Sequence, residues 1–370
     1  MEEWLEKVRA FCDKKLSPLA YTLDKENRFP RELLGDLQEL GLWGSQYPQE
    51  YGGAGRDVET VYQAVTEIAK ASAGVSLTLI VHWMACDTLL KFGTKEQQAT
   101  YLRPMLQGDK IAAFTISEPQ AGSDAAAIEA LAVKTEQGWS LSGTKYFCTN
   151  GALADLYFIA VKTAPDLGAK GISLVILEKG ATGFTIGEPL EKLGCRSSQT
   201  TSLLLNQVEI QEEQIVGNVN SGFKAALYGL VGGRLGMAVM GLGIAEAAFA
   251  AATAYAKKRQ AFGKPISKLY AMQEKTANMV ISLQAYRLLT ADAVKGRAAG
   301  SDYSEKASIA KLYGARAAQE ITYEALQVLG GHGYMKHHPL ERYARDARLM
   351  DIGVGSSEVL KMVLGSTYLA

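Results

Sequence analysis

Hydrophobic and polar positions change texture twice along the chain. Over residues 1 to about 110 the apolar positions recur at helical spacing, interrupted by short breakers. Leu33, Leu34, Leu37, Leu40 and Leu42 follow Pro30, a residue suited to a helix start. Tyr47-Pro48 and the run Gly52-Gly53-Ala54-Gly55 break the pattern. It resumes from Val58 to about Phe92, where Gly93 is placed to end it. From about 111 to 215 the period shifts toward two. IAAFTIS, GWSLSGTKYFC, DLYFIAVKT, GISLVILEKG and TTSLLLNQVEI are β-rich runs separated by turn residues. Short strands without intervening helices predict an antiparallel sheet or barrel, not a doubly wound fold. From Gly222 onward the chain is Ala-rich and helical again. The stretch to about Tyr255 is full of Gly and Ala, which lets helices approach closely.

The predicted fold is α+β and multidomain. An N-terminal helical domain (1–110) precedes a central antiparallel β domain (111–220) and a C-terminal helical bundle of four-helix type (221–370). Lengths of ~100–200 residues per domain allow two or three units in 370 residues.

Charge narrows the function classes. Lys+Arg and Asp+Glu both number 39, a balance that argues against nucleic acid and against a polybasic membrane surface. No apolar run reads as the roughly 18–20 residues of a membrane span, and the acidic, amphipathic start MEEWLEKVRAF does not resemble a signal peptide. The four cysteines lack a CxxC pair and the four histidines are dispersed apart from His337-His338. No metal site is expected, and a reducing, cytoplasmic setting is.

Four units carry candidate chemistry. SEPQAGSD (117–124) follows a β-run and offers hydroxyls and backbone N–H groups to an anion; a plain polar turn explains it equally. KYFCTNG (145–151) presents Phe147 and then Thr149 before an Asn-Gly turn. KKRQAFGKPI (257–266) closes the long helix with cations, which also suit a helix C-terminus. LGGHGY (329–334) is a Gly-rich stop allowing close backbone approach, with His332 read as a turn residue.

Taken together and in this order, these units resemble the flavin-dependent acyl-CoA dehydrogenase superfamily. The resemblance spans nearly the whole chain, through FGTKEQQATYLRPM, LEKLGCRSSQT, GGRLGMA and RDARLMDIGVGSSEV as well. It implies an acyl-CoA substrate, one FAD per subunit, a homotetramer in which a neighbour lends part of each FAD site, and an electron-transferring flavoprotein or similar acceptor. Ser117, Ser123 and Thr149 match positions touching the flavin or its phosphates. Phe147 replaces the usual tryptophan beside the flavin. Arg259 and Phe262 match the neighbour's contacts, and Gln327 and Gly331 match the adenosine-side loop. Ser356 and Glu358 stand where the last helix begins, Ser356 being a good N-cap by its own chemistry. Arg234 matches the arginine supporting the base and the thioester site.

The resemblance also exposes a departure. Dehydrogenation sends the Cα proton to a carboxylate and the Cβ hydride to the flavin. The usual Glu falls at Val354, between RDAR and GSSE, and the second known base position is Gly233. Neither accepts a proton. The Val354 N–H remains able to bond the thioester carbonyl. A replacement base is sought on the 75–92 helix, whose positions Ser76, Leu77, Ile80 and Met84 match the acyl pocket. At 100° per residue Asp87 lies ~20° from Ile80, and His82 ~160° away. Asp87 is therefore the candidate base, and a solvated charge near a helix end or a partner for a neighbouring Lys is its ordinary alternative. A base at that depth fits an unsaturated or cyclic acyl group, as in cyclohexene-carboxyl-CoA dehydrogenases. Oxygenation or elimination on the same scaffold, and a non-catalytic subunit of a mixed oligomer, are the competing readings.

Overall fold

The computed structural model describes residues 2–369. Helices α1 (Glu2–Phe11), α2 (Ser17–Glu26), α3 (Leu34–Glu39), α4 (Val58–Ala71), α5 (Ala73–Phe92), α6 (Lys95–Gln97) and α7 (Arg103–Gln107) form the N-terminal unit. Strands β1 (Ala112–Thr115), β2 (Leu131–Thr135), β3 (Gly138–Thr149), β4 (Leu156–Lys162), β5 (Ile172–Glu178), β6 (Phe184–Ile186) and β7 (Thr200–Ile210) follow. Helices α8 (Gly222–Lys258), α9 (Tyr270–Ala298), α10 (Ser304–Leu329), α11 (Leu340–Ala347) and α12 (Ser357–Leu369) complete the chain, with a small hairpin of β8 (Gln260–Ala261) and β9 (Lys264–Pro265) after α8.

The three-domain plan is the expected one, with two local differences. The sheet is mixed: β2–β3, β3–β7, β4–β5 and β6–β7 are antiparallel, but β1 and the end of β2 pair with β4 in parallel. The 40 residues between β1 and β4 include the β2–β3 hairpin, which supplies the long return that a parallel pairing requires. The helical run from Val58 also breaks, because Ser72 is extended (φ −153°) between α4 and α5.

Strand periodicity joins the layers. Leu156, Phe158 and Ala160 of β4 and Ile172, Leu174 and Ile176 of β5 pack with the helices, while Tyr157, Ile159, Val161, Val175 and Leu177 form the core of the β domain. The first turn of α8 lies directly on the sheet, since a side chain at Gly222 would strike the backbone of Ser173 and Leu174. Helices α5 and α8 are long and apolar enough to cross a membrane by length and composition, contrary to the sequence reading. Both are largely buried, as the core helices of this fold.

Candidate functional site

Two loops at one edge of the sheet are pinned together. Glu118 is buried and its carboxylate accepts from the N–H groups of Glu129 (2.6 Å) and Ala130 (2.9 Å) and from Lys145 Nζ (2.6 Å). Lys145, fully buried, also donates to the Ile116 carbonyl at 2.9 Å. Burial opposes ionisation of Glu118, yet Lys145 and the backbone donors outweigh it and hold the carboxyl below its usual value. Tyr146 N–H donates to the Ser117 carbonyl at 2.9 Å. The loop carrying Ser117 and Ser123 is thus tied to the strand carrying Phe147 and Thr149. Phe147 has φ +57° and stands 64% exposed, an apolar face with hydroxyls on its flanks. These residues suit a planar aromatic cofactor with a phosphate tail.

A second group gathers elsewhere. Arg259 caps α8 and is exposed, and Phe262 is 89% exposed on the β8–β9 turn. The His332 ring lies 6.0 Å from Tyr255, which brings the turn carrying Gly331, just after Gln327, to the same end of α8. Arg259 is 25 residues, about 38 Å along the helix, from Arg234. Arg259 and Phe262 thus stand exposed at the opposite end of α8 from Arg234.

The third group surrounds position 354. Val354 and Gly355 have φ of +58° and +94°. Positive φ is costly for a β-branched residue, of order 1–3 kcal/mol, so surrounding structure must impose it. Lys311 Nζ donates to the Gly355 carbonyl at 2.7 Å, and burial pulls this lysine down to about 8. A side chain at Gly233 would come within 2.8 Å of Val354 Cγ1 and 2.7 Å of Met84 Sδ, so the two vacant base positions face each other. A side chain at Gly355 would stand 3.9 Å from Arg234 Nε. Arg234 Nη1 reaches Ser308 Oγ at 3.4 Å, while its buried Nε has no protein partner among the described residues. The Val354 N–H donates to no protein acceptor among them either. Ser356 Oγ accepts from Val359 N–H at 3.3 Å and caps α12, where Glu358 is exposed.

Asp87 lies on the expected stripe. Ile80 meets Gly236, Met84 meets Gly233 and Asp87 meets Gly232, all along α8. Its carboxylate is engaged, however. Arg297 Nη1 donates to Oδ2 at 2.8 Å, Arg297 Nη2 to Oδ1 at 2.7 Å, and Tyr47 Oη to Oδ1 at 2.8 Å. Both carboxylate oxygens are thus engaged by a bidentate guanidinium, and one also by a phenol. Neither ordinary alternative is found, since Asp87 is buried and its partner is not a neighbouring lysine but Arg297, 210 residues away. His82 is buried among the helices and β1, lowered to about 3 by burial, and its Nδ1 accepts from Ala112 N–H at 3.1 Å.

Sequence reasoning missed Arg297, Lys311 and the Glu118–Lys145 pair. A signal existed for two of them. Arg297 shares a helical face with buried Thr290, Ala293 and Val294, and Lys311 one with Ala307, Ser308 and Ala315.

Comparison with known proteins decides the family. The models for the acyl-CoA dehydrogenase N-terminal, middle and C-terminal domains match residues 1–109, 113–208 and 220–369. The chain belongs to the acyl-CoA dehydrogenase family. It is 39% identical to a short-chain specific acyl-CoA dehydrogenase of Clostridium acetobutylicum, over 96% of this chain and 94% of that one. Its structure matches butyryl-CoA dehydrogenase from Megasphaera elsdenii with a TM-score of 0.97 at 37% identity, over 100% and 98% of the two chains. A chain from the structure of the electron transferring flavoprotein of Acidaminococcus fermentans matches equally, with a TM-score of 0.97 at 38% identity over 100% and 97%. Val354 and Gly233, the positions that the resemblance gives for the base, lie side by side in this chain.

Proposed function

We propose that this protein is an FAD-dependent acyl-CoA dehydrogenase-type oxidoreductase that binds a short acyl-CoA, and that Cα–Cβ dehydrogenation of a saturated thioester is slow or absent in it because Val354 and Gly233 cannot take the Cα proton. The observation that carries this reading is the combination of a nearly complete set of residues matching cofactor positions, with Phe147 in place of the usual tryptophan, and a motif with Val354 at the usual base position. When bound, FAD supplies acceptance of a hydride. The chain's own residues do the remaining work. Ser117, Ser123 and Thr149 offer hydroxyls, and Phe147 offers an apolar wall. The free N–H of Val354 is positioned to polarise a thioester carbonyl, so developing negative charge is stabilised without a carboxylate nearby. Arg234 and Lys311 add positive charge behind that position.

Short acyl groups are favoured by the butyryl and short-chain relatives and by the close α5–α8 contact. The remote-base form of the reading, with Asp87 serving a cyclic substrate such as cyclohex-1-ene-1-carboxyl-CoA, requires Asp87 to leave Arg297 and Tyr47, and the geometry gives it no support. A homotetramer in which Arg259 and Phe262 of a neighbour complete the FAD site accounts for their exposure and distance. An electron-transferring flavoprotein is the natural acceptor. Spectral titration of the flavin-loaded protein with crotonyl-CoA and butyryl-CoA tests the reading. A saturable perturbation of the flavin band supports it; no perturbation with fully loaded protein overturns it.

A further inference from the structure

The turn at residues 352–356 is anchored at both ends. At its start the N–H groups of Ile352 and Gly353 donate to the Leu349 carbonyl at 3.0 and 2.9 Å. At its end the Leu360 N–H donates to the Ser356 carbonyl at 3.0 Å, and Ser357 Oγ donates to the Asp351 carboxylate across the turn. Between these anchors lie Val354 and Gly355, both at positive φ. Among the described residues one side chain bonds the backbone there: Lys311 Nζ, which donates to the Gly355 carbonyl at 2.7 Å.

Helix α10 carries that contact. Lys311 lies one turn beyond Ser308, whose Oγ accepts from Arg234 Nη1 on α8. One face of α10 therefore sets the Arg234 guanidinium and the turn at position 354 in register with each other. Lys311 is only 1% exposed. Among the described residues neither it nor Arg234 forms an ion pair. Of the acids that face Lys311, Asp351 is already bonded to Ser357, Gln319 and Arg348, and Glu358 is exposed. A buried ammonium that bonds one carbonyl and no carboxylate is costly. A neutral donor would brace the turn without that cost, so the brace alone does not account for the charge.

We propose that Lys311 is a positioning residue for ligand binding at position 354: through the Gly355 carbonyl it holds the turn so that the Val354 N–H stays free for a ligand carbonyl, and its uncompensated charge favours a ligand that gathers negative charge there. This deepens the function proposed above and rests on it. Without the Lys311 bond, Val354 relaxes toward the negative φ that a β-branched residue prefers, which reorients the peptide ahead of it. The charge adds a dependence on pH. Burial pulls Lys311 down to about 8, Asp351 raises it, Arg234 on α8 lowers it and Glu358 on α12 raises it. A polarised ligand carbonyl stabilises the ammonium, so binding is tighter with Lys311 charged and weakens as pH rises above about 8.

The test uses FAD-loaded protein and crotonyl-CoA carrying carbon-13 at the thioester carbonyl. Difference infrared spectra read the carbonyl stretch of the bound probe, and flavin spectral perturbation reads its affinity. Wild-type protein should lower the stretch relative to free crotonyl-CoA, and should bind at least about 3-fold more weakly at about pH 9 than at about pH 7. Lys311→Met, which removes donor and charge, should lose at least about half of the shift, bind about 10-fold more weakly at neutral pH and show no pH step. A merely structural role would lower flavin content or stability and leave the stretch of the bound probe unchanged. A folded, FAD-loaded Lys311→Met protein with the wild-type shift and affinity overturns the role of Lys311 and leaves the proposed function standing. Wild-type affinity that is flat over this pH range does the same. Should Lys311→Met not retain FAD, Lys311→Arg, charged throughout, should bind without the pH step, and the same step there assigns it to another group and overturns the proposal. If loaded wild-type protein does not bind crotonyl-CoA, both readings fall.

Discussion

At the scale of single residues, burial decides what each ionisable group can do. Asp346 is buried and raised to about 6 by desolvation, and its Oδ1 accepts from Cys195 N–H at 2.5 Å. An unfolded chain releases the same proton near the ordinary value of 3.8. Between those values the unfolded state binds fewer protons than the native one, so this residue lowers stability as pH rises, and its effect is constant above about 6. Asp346→Asn keeps an acceptor for Cys195 N–H and removes the titration. Urea unfolding from pH 4 to 6 should therefore show a flatter pH dependence in the variant than in the wild type. Parallel curves would show that Asp346 does not carry this proton. Lys145 poses the opposite case, a buried cation whose charge is met by Glu118 and one carbonyl. Lys145→Met leaves Glu118 buried and uncompensated, a change of roughly 3–5 kcal/mol. It should lower both the melting temperature and flavin retention, because the pair joins the two cofactor loops. Full flavin occupancy after gel filtration would separate the pair from cofactor binding.

At the scale of elements, what could be read in the sequence followed from periodicity, and what could not followed from long-range pairing. The switch from period 3.6 to period 2 marked the β domain, and the strand motifs placed Phe147 and Thr149 at a strand end, where they are found. The parallel β1–β4 pairing was not legible, because it depends on a return over 40 residues away and not on any local pattern. The apolar length of α5 and α8 was masked by their Gly, Ser and Thr content, residues that a helix core accepts when neighbours pack closely. For Asp87 the helical angle was legible and the partner was not, since Arg297 is 210 residues away. The long α8 also separates its functions. Its first half holds Gly233 and Arg234, and its C-terminal end holds Arg259, which is exposed. Arg259→Ala should weaken FAD retention and oligomer stability together, as measured by flavin content and sedimentation. Loss of neither would remove this end of the helix from the cofactor site.

At the scale of the whole molecule, three domains make the acyl-CoA dehydrogenase scaffold, and, as proposed, the usual proton acceptor is missing from it. The N-terminal domain packs α5 on α8, the β domain carries the segments of Ser117 and Thr149, and the C-terminal bundle carries position 354. Charge at that position is the decisive variable. Arg234 and Lys311 remain, and Val354 fills the place of a carboxylate against Gly233. A glutamate there would enter a site already furnished with donors, at a backbone conformation less strained for it than for a β-branched residue. The most direct measurement is anaerobic rapid mixing of flavin-loaded protein with butyryl-CoA, following loss of the oxidised flavin band in wild type and Val354→Glu. The account predicts slow or no bleaching in the wild type although butyryl-CoA binds, and bleaching faster by roughly 10²–10⁴-fold in the variant, the contribution of a positioned base. Rapid bleaching by the wild type, or a folded Val354→Glu protein that binds butyryl-CoA and gains nothing, would contradict it.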